Sequence, residues 1–175
     1  IRKNVVDRSR RTLEYANNGA IGGAIKGLIS VLDGKNVQPG DGFPEDFTTR
    51  VERIISFPGE GQDHAVCILS KHIAWLKGID SNWVSSKMIP WFDLDNPFSE
   101  PAWNGILSND WGSIQLVFEE LKSSFSDLLA KISTWGWRDD VERNAYTWIV
   151  EASVCSLDSG SILSFDDARD CLRKV

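Results

Sequence analysis

The stretch Ser113-Ile114-Gln115-Leu116-Val117-Phe118-Glu119-Glu120-Leu121-Lys122-Ser123-Ser124-Phe125-Ser126-Asp127-Leu128-Leu129-Ala130-Lys131-Ile132 sets its apolar residues at helical spacing. Ile114, Val117, Phe118, Leu121, Phe125, Leu128 and Ile132 recur three or four positions apart, which lines one face of a helix. Glu119, Lys122, Ser123, Ser126 and Asp127 fall off that stripe, and Ser113 stands where a cap for the first turn is expected. The same spacing returns at Val141, Ala145, Trp148, Ala152 and Cys155, which makes Cys155 a buried filler. It returns again at Ala65, Leu69, His72 and Leu76. Shorter helices are expected around Phe47, Val51 and Ile54, and near the end, where Ser164 is placed to cap a run that opens with Asp166 and Asp167 in its first turn.

Strand signals are nearly lacking. No segment sustains strict alternation between turn residues, and no Asn-Gly or Asp-Gly pair joins two such segments. The chain therefore reads as all-α, an irregular helical bundle or a HEAT-like stack of helix pairs, with loops at about 33–44, 56–62, 90–101 and 157–163. No fixed-period repeat is visible. A length of 175 residues suits one domain over 1–175, and a chain of that size can bury about 70% of the surface its unfolded form exposes. No apolar run approaches the ~20 residues needed to cross a bilayer. The chain opens IRKNVVDRSRR, with Ile1 first and no apolar signal core, which reads as a fragment of a longer protein.

Glycine is concentrated in Asn17-Asn18-Gly19-Ala20-Ile21-Gly22-Gly23-Ala24-Ile25-Lys26-Gly27-Leu28. A phosphate loop needs Lys directly after the second glycine of its pattern, but Leu28 follows Gly27. A dinucleotide fingerprint needs a strand before it, and the preceding RRTLEYANN reads as helix. Gly19, Gly23 and Gly27, four apart, are read instead as small residues that let another helix backbone approach, with Asn18-Gly19 ending the first helix. No cofactor is expected.

The formal net charge of −6 opposes broad attraction to nucleic acid, although Arg2, Lys3, Arg8, Arg10 and Arg11 crowd the start against Asp7 alone. That basic start reads as a solvated helix face or as partners for acidic neighbours. Three cysteines, Cys67, Cys155 and Cys171, with no CxxC pair, fit a reducing, cytosolic setting. His64 and His72 are eight positions apart on one helix, about 12 Å along its axis, too far to share a metal. His64 with Cys67 supplies only two ligands, too few for zinc, so no metal is expected. His72 reads as a core histidine, while His64, beside the turn PGEGQ, keeps a functional reading open.

Between Pro90 and Trp111 the chain carries Asp93, Asp95, Glu100 and Asp110 with no basic residue, among Trp91, Trp103 and Trp111. Carboxylates flanked by tryptophan can serve glycoside hydrolysis, which makes a small hydrolase using Asp93, Asp95 or Glu100 one alternative. A calcium loop counted from Asp93 fails, because Phe98 stands where glycine is required and Asn104 where glutamate is. The structural reading makes this segment a junction between helix pairs. Pro90, Pro97 and Pro101 stop helices, and Trp91, Phe92, Phe98 and Trp103 anchor the link to the core.

The run from Asp63 to Trp111 also resembles the helical C-terminal domain of bacterial SIR2-like anti-phage defence proteins. The likeness is carried by the helix ending at Trp75-Leu76, the start at Trp83-Val84, Pro90-Trp91-Phe92-Asp93 and Ala102-Trp103-Asn104-Gly105. In that family an N-terminal SIR2 domain cleaves NAD, and the helical remainder senses a trigger or holds an oligomer. With no Rossmann-like start, this chain would be the non-catalytic regulatory part, and the resemblance gives it no catalytic residue. It implies a protein partner or a homo-oligomer, a phage protein trigger among the candidates, in the cytosol. A stand-alone helical adaptor is the other alternative. The residues expected to mediate such contacts are Trp91, Phe92, Asp93, Asp95, Glu100, Trp103 and Asn104, with Trp103 buried and the acidic edge of Asp93, Asp95 and Glu100 facing a partner.

Overall fold

A computed structural model describes residues 10–137 and 139–154, together with Asp166, Ala168, Arg169 and Arg173. The expectations for Cys155, Ser164, Asp167 and the 157–163 loop, and for the charges before Arg10, lie outside the described residues. Among the described residues the fold is all-α, a helical bundle without strands. In chain order it runs α1 Leu13–Asn18, α2 Ala20–Gly34, α3 Glu45–Ser56, α4 Glu60–Lys71, α5 Ile73–Ile79, α6 Ser81–Trp83, a π-helical turn Val84–Met88, a 3-10 turn Ile89–Phe92, α7 Ser99–Ile106, α8 Trp111–Leu129, a 3-10 turn Ile132–Trp135 and α9 Asp139–Val154.

The centre of the bundle is α4. Every residue from Asp63 to Ser70 is buried, as for a helix surrounded on all sides. α1, α2, α3 and α7 pack around it. Its closest neighbour is α7, and the reason is Gly105: a Cβ there would lie 2.1 Å from the carbonyl oxygen of Cys67. Only glycine admits this approach of one helix backbone to the other.

The glycines of α2 behave differently from the expectation. Gly19 does pack closely, since a Cβ would meet His64 Nδ1 at 2.6 Å, but Gly23 and Gly27 have nothing within 4 Å of where a side chain would begin. The glycine buried in this helix is Gly22, whose Cβ would come 1.8 Å from the carbonyl oxygen of Ala16. Period four selected the wrong face. Ile25, Ile29 and Leu32 mark the buried one. Gly19 has extended backbone and not positive φ, so it separates α1 from α2 without a left-handed cap.

The stripe through Ala65, Leu69, His72 and Leu76 is not one helix. α4 ends at Lys71, and the Asn109 side-chain amide donates to the Lys71 carbonyl at 2.8 Å, taking an acceptor that a continuous helix would have used. His72 is half-buried at the break, and burial, with Lys71 beside it, holds its imidazole below the usual range. The long apolar stripe is borne out in α8, where Ile114, Val117, Phe118, Leu121, Phe125 and Leu128 are buried. Its cap is Asp110 and not Ser113. The Asp110 carboxylate accepts from the Ser113 hydroxyl at 2.8 Å and the Ser113 N–H at 2.9 Å, bonds that hold its pKa below the usual value. Trp111, Phe118, Phe125 and Trp148 form an aromatic cluster where α8 meets α9.

The 90–101 segment is more ordered than a loop. Pro90 sits in the first turn of the 3-10 segment, and Pro101 lies inside the first turn of α7. Its missing N–H is tolerated there because first-turn amides have no partner within the helix.

Candidate functional site

Two adjoining features carry the polar chemistry of the fold. The first clasps the segment Arg10–Leu13 onto the N-terminal ends of α4 and α7. Arg11 Nε lies 3.0 Å from Asp63 Oδ2, and Arg11 Nη1 lies 3.5 Å from Glu100 Oε2. Both carboxylates are buried, at 4% exposure. Burial raises the Asp63 pKa above the usual value. Arg11 and His64 pull it back, and Glu100 adds to the rise. Arg10 pairs with Glu60 at 2.5 Å on the more open side. The basic start thus pairs with acidic neighbours at Arg10 and Arg11.

His64 completes the clasp. Its Nε2 is 3.1 Å from the Arg10 carbonyl oxygen, and since a carbonyl only accepts, Nε2 carries the proton. The ring fills the space that the absent Cβ of Gly19 leaves open. Leu13 N–H donates to Asn104 Oδ1 at 2.7 Å, a bond between positions 91 apart. Cys67 is buried alongside, with Sγ 3.9 Å from the same oxygen, and burial pushes its thiol pKa far up. These residues form a latch of three segments.

The second feature is the junction from Trp91 to Asn104. Trp103 is fully buried. Its indole N–H donates to the Phe92 carbonyl at 3.0 Å, and its ring meets Phe92 edge-on at 5.0 Å. Trp91 is buried too and packs edge-on against Phe98. Between these anchors the chain makes an exposed turn. The Asp93 carboxylate accepts from the Asp95 N–H at 3.0 Å. Asn96 donates from its side chain to the Pro90 carbonyl at 2.9 Å and accepts from the Phe98 N–H at 2.9 Å. Asp and Asn side chains closing on nearby backbone in this way fix a turn without helix or sheet. A cavity of about 510 Å³ adjoins it, lined by Asp95, Asn96, Arg11, Lys131 and Trp135 among others.

The seven residues expected at an interaction surface are therefore divided. Asp93 and Asp95 are exposed, whereas Trp91, Phe92, Glu100, Trp103 and Asn104 are buried. Glu100 is the main correction. It does not belong to an acidic edge but lies inside, against Arg11, because the first turn of α7 rotates it toward the clasp. Sequence reasoning named Arg11 only as part of the basic start and missed Asp63. Their signal was a basic pair just before a helix and an acidic residue at the start of a helix whose following residues are apolar. No group of three or more His, Cys, Asp or Glu residues suited to a metal ion occurs among the described residues. Among the same residues no helix is long and apolar enough to cross a membrane. Neither a protein-family model, nor a curated protein, nor a solved structure matches this chain.

Proposed function

We propose that this chain is the non-catalytic regulatory module of a cytosolic bacterial antiviral effector of the SIR2, NAD-cleaving type. It recognises a protein partner, either a phage trigger or another copy of the effector, through the exposed acidic turn at Asp93 and Asp95. The observation that supports this reading is the turn's construction: an exposed, charged loop held in one shape by its own hydrogen bonds and pinned at both ends by buried aromatics. A loop already ordered before binding loses little entropy on association, which favours recognition. The likeness of the 63–111 run to the helical part of SIR2-like defence proteins supplies the effector context.

For the alternative of a hydrolase using Asp93, Asp95 or Glu100, the burial of Glu100 against Arg11 leaves Asp93 and Asp95 as the exposed carboxylates of the three. A stand-alone adaptor would use the same turn. A SIR2-like domain in the same polypeptide separates the effector reading from the adaptor.

The test is Asp93→Asn combined with Asp95→Lys in the intact protein, read by sizing, partner binding and thermal melting together. Asn at position 93 keeps an acceptor for the backbone N–H of position 95, so the turn survives while its charge is reversed. Weakened assembly or trigger binding at an unchanged melting temperature is expected. Unaltered assembly and binding would sink the proposal.

A further inference from the structure

Arg11 belongs to the latch and also to the wall of the cavity beside the exposed turn. Its guanidinium pairs with Asp63 and Glu100, and its side chain, 26% exposed, shares the space of about 510 Å³ with Asp95, Asn96, Glu100 and Lys131. Asp95 and Lys131 are exposed, whereas the carboxylates of Asp63 and Glu100 are buried. These groups need no hydrogen bond across the cavity to act on one another. In a space of this volume, roughly 10 Å across, charges on opposite walls still interact when salt is low. The negative charge of Asp95 therefore helps to hold Arg11 in place, and the positive charge of Lys131 opposes it.

The docked segment carries its own reporter. Leu13 opens α1, and a first-turn amide has no partner within its own helix. Its N–H is held instead by Asn104 Oδ1 in α7 at 2.7 Å, 91 positions away. That bond lasts only while Arg10–Leu13 lies against α7, and Arg11 stands two positions before it.

We propose that the turn and the latch are coupled through Arg11: a lysine or arginine of the partner that pairs with Asp95 cancels the charge helping to hold Arg11, and the Arg10–Leu13 segment then lifts more often. This rests on the reading of the turn as the recognition surface. It adds the chemistry of the partner's contact, chosen by complementarity to Asp93 and Asp95, and the consequence of that contact. A partner cation in the cavity meets Arg11 only while the segment is docked. The undocked state therefore binds it better, which is the difference in affinity that a shift of the equilibrium requires.

Hydrogen exchange of the Leu13 amide in the whole chain, read by NMR against the buried Val66 amide of α4, tests the coupling without any partner. Asp95→Lys places a cation at the turn permanently, and the bond to Asp93 is kept because position 95 makes it through its backbone N–H. In about 0.01 M salt the exchange of Leu13 should quicken roughly threefold while that of Val66 stays the same, and Lys131→Gln should slow it. Both effects should vanish in about 1 M salt, where the Debye length falls to about 3 Å, a dependence that a change in packing would not show. Unaltered Leu13 exchange in Asp95→Lys overturns the proposal, as does a change that survives high salt or that Val66 shares. Loss of the charge effect with partner binding intact refutes the coupling alone. Failed partner binding with the charge effect intact refutes the recognition surface.

Discussion

Gly105 of α7 rests on the carbonyl of Cys67 in α4, so close that a methyl group on Gly105 would lie 2.1 Å from that oxygen. The obstacle is backbone in the central helix, which cannot rotate away as a side chain tip could. Gly105→Ala should therefore cost at least the ~1–3 kcal/mol typical of overpacking. Urea unfolding monitored by tryptophan fluorescence measures it, and an unchanged midpoint would contradict the close approach.

Gly23 supplies the opposite case. It lies within α2 with ordinary negative φ, and a Cβ added there would meet nothing within 4 Å. Gly23→Ala should stabilise the fold by about 0.5–1 kcal/mol, since alanine loses less backbone freedom on entering a helix. The same urea titration that detects the loss at Gly105 should show this gain. A loss at Gly23 would mean that another backbone does seat there.

Asp63 should give the fold an unusual pH response. Its folded pKa is raised above 3.8, burial being the largest cause, so the native state holds the proton more firmly than the unfolded chain does. The stability contributed by that proton is fully present below the unfolded pKa and is lost as pH rises through the folded one. The difference in unfolding free energy between the wild type and Asp63→Asn should accordingly move against the wild type from about pH 4 toward neutrality. If it moves in the wild type's favour, attraction to Arg11 outweighs burial.

Trp103 and Trp75 should separate cleanly. Trp103→Ala removes a fully buried ring and the donor to the Phe92 carbonyl, at a cost of about 3–5 kcal/mol. Trp75 is 38% exposed, so Trp75→Ala should cost well under half of that. Chemical denaturation of both variants is the check, and equal losses would contradict the burial pattern.

What the sequence discloses follows the range of the interaction that decides each feature. The α8 stripe was legible because Ile114 to Leu128 repeat with the helix's own period, and the burial of Trp103 was legible because a large aromatic beside prolines reads as an anchor of the junction. Gly23 and Gly27 were misassigned because Gly22, one position away, shares their composition, and only Ala16 distinguishes it. The break at His72 depends on Asn109, and the burial of Glu100 depends on Arg11. Both partners are remote in sequence, and neither leaves a periodic trace. The turn at Asp93 was recognised as organised from its prolines, but its stiffness comes from Asn96, whose two side-chain bonds cannot be counted from composition.

The burial of Cys67 makes the packing of α7 on α4 something that can be timed. A thiol with a raised pKa, enclosed beside Asn104, is inert toward alkylating reagents while α7 stays packed on α4. Its modification rate therefore measures how often that contact opens. Peptide mass analysis distinguishes Cys67 from Cys155 and Cys171. Cys67 is thus a built-in clock for the centre of the bundle: anything that holds α7 against α4 slows it, and anything that parts them speeds it up.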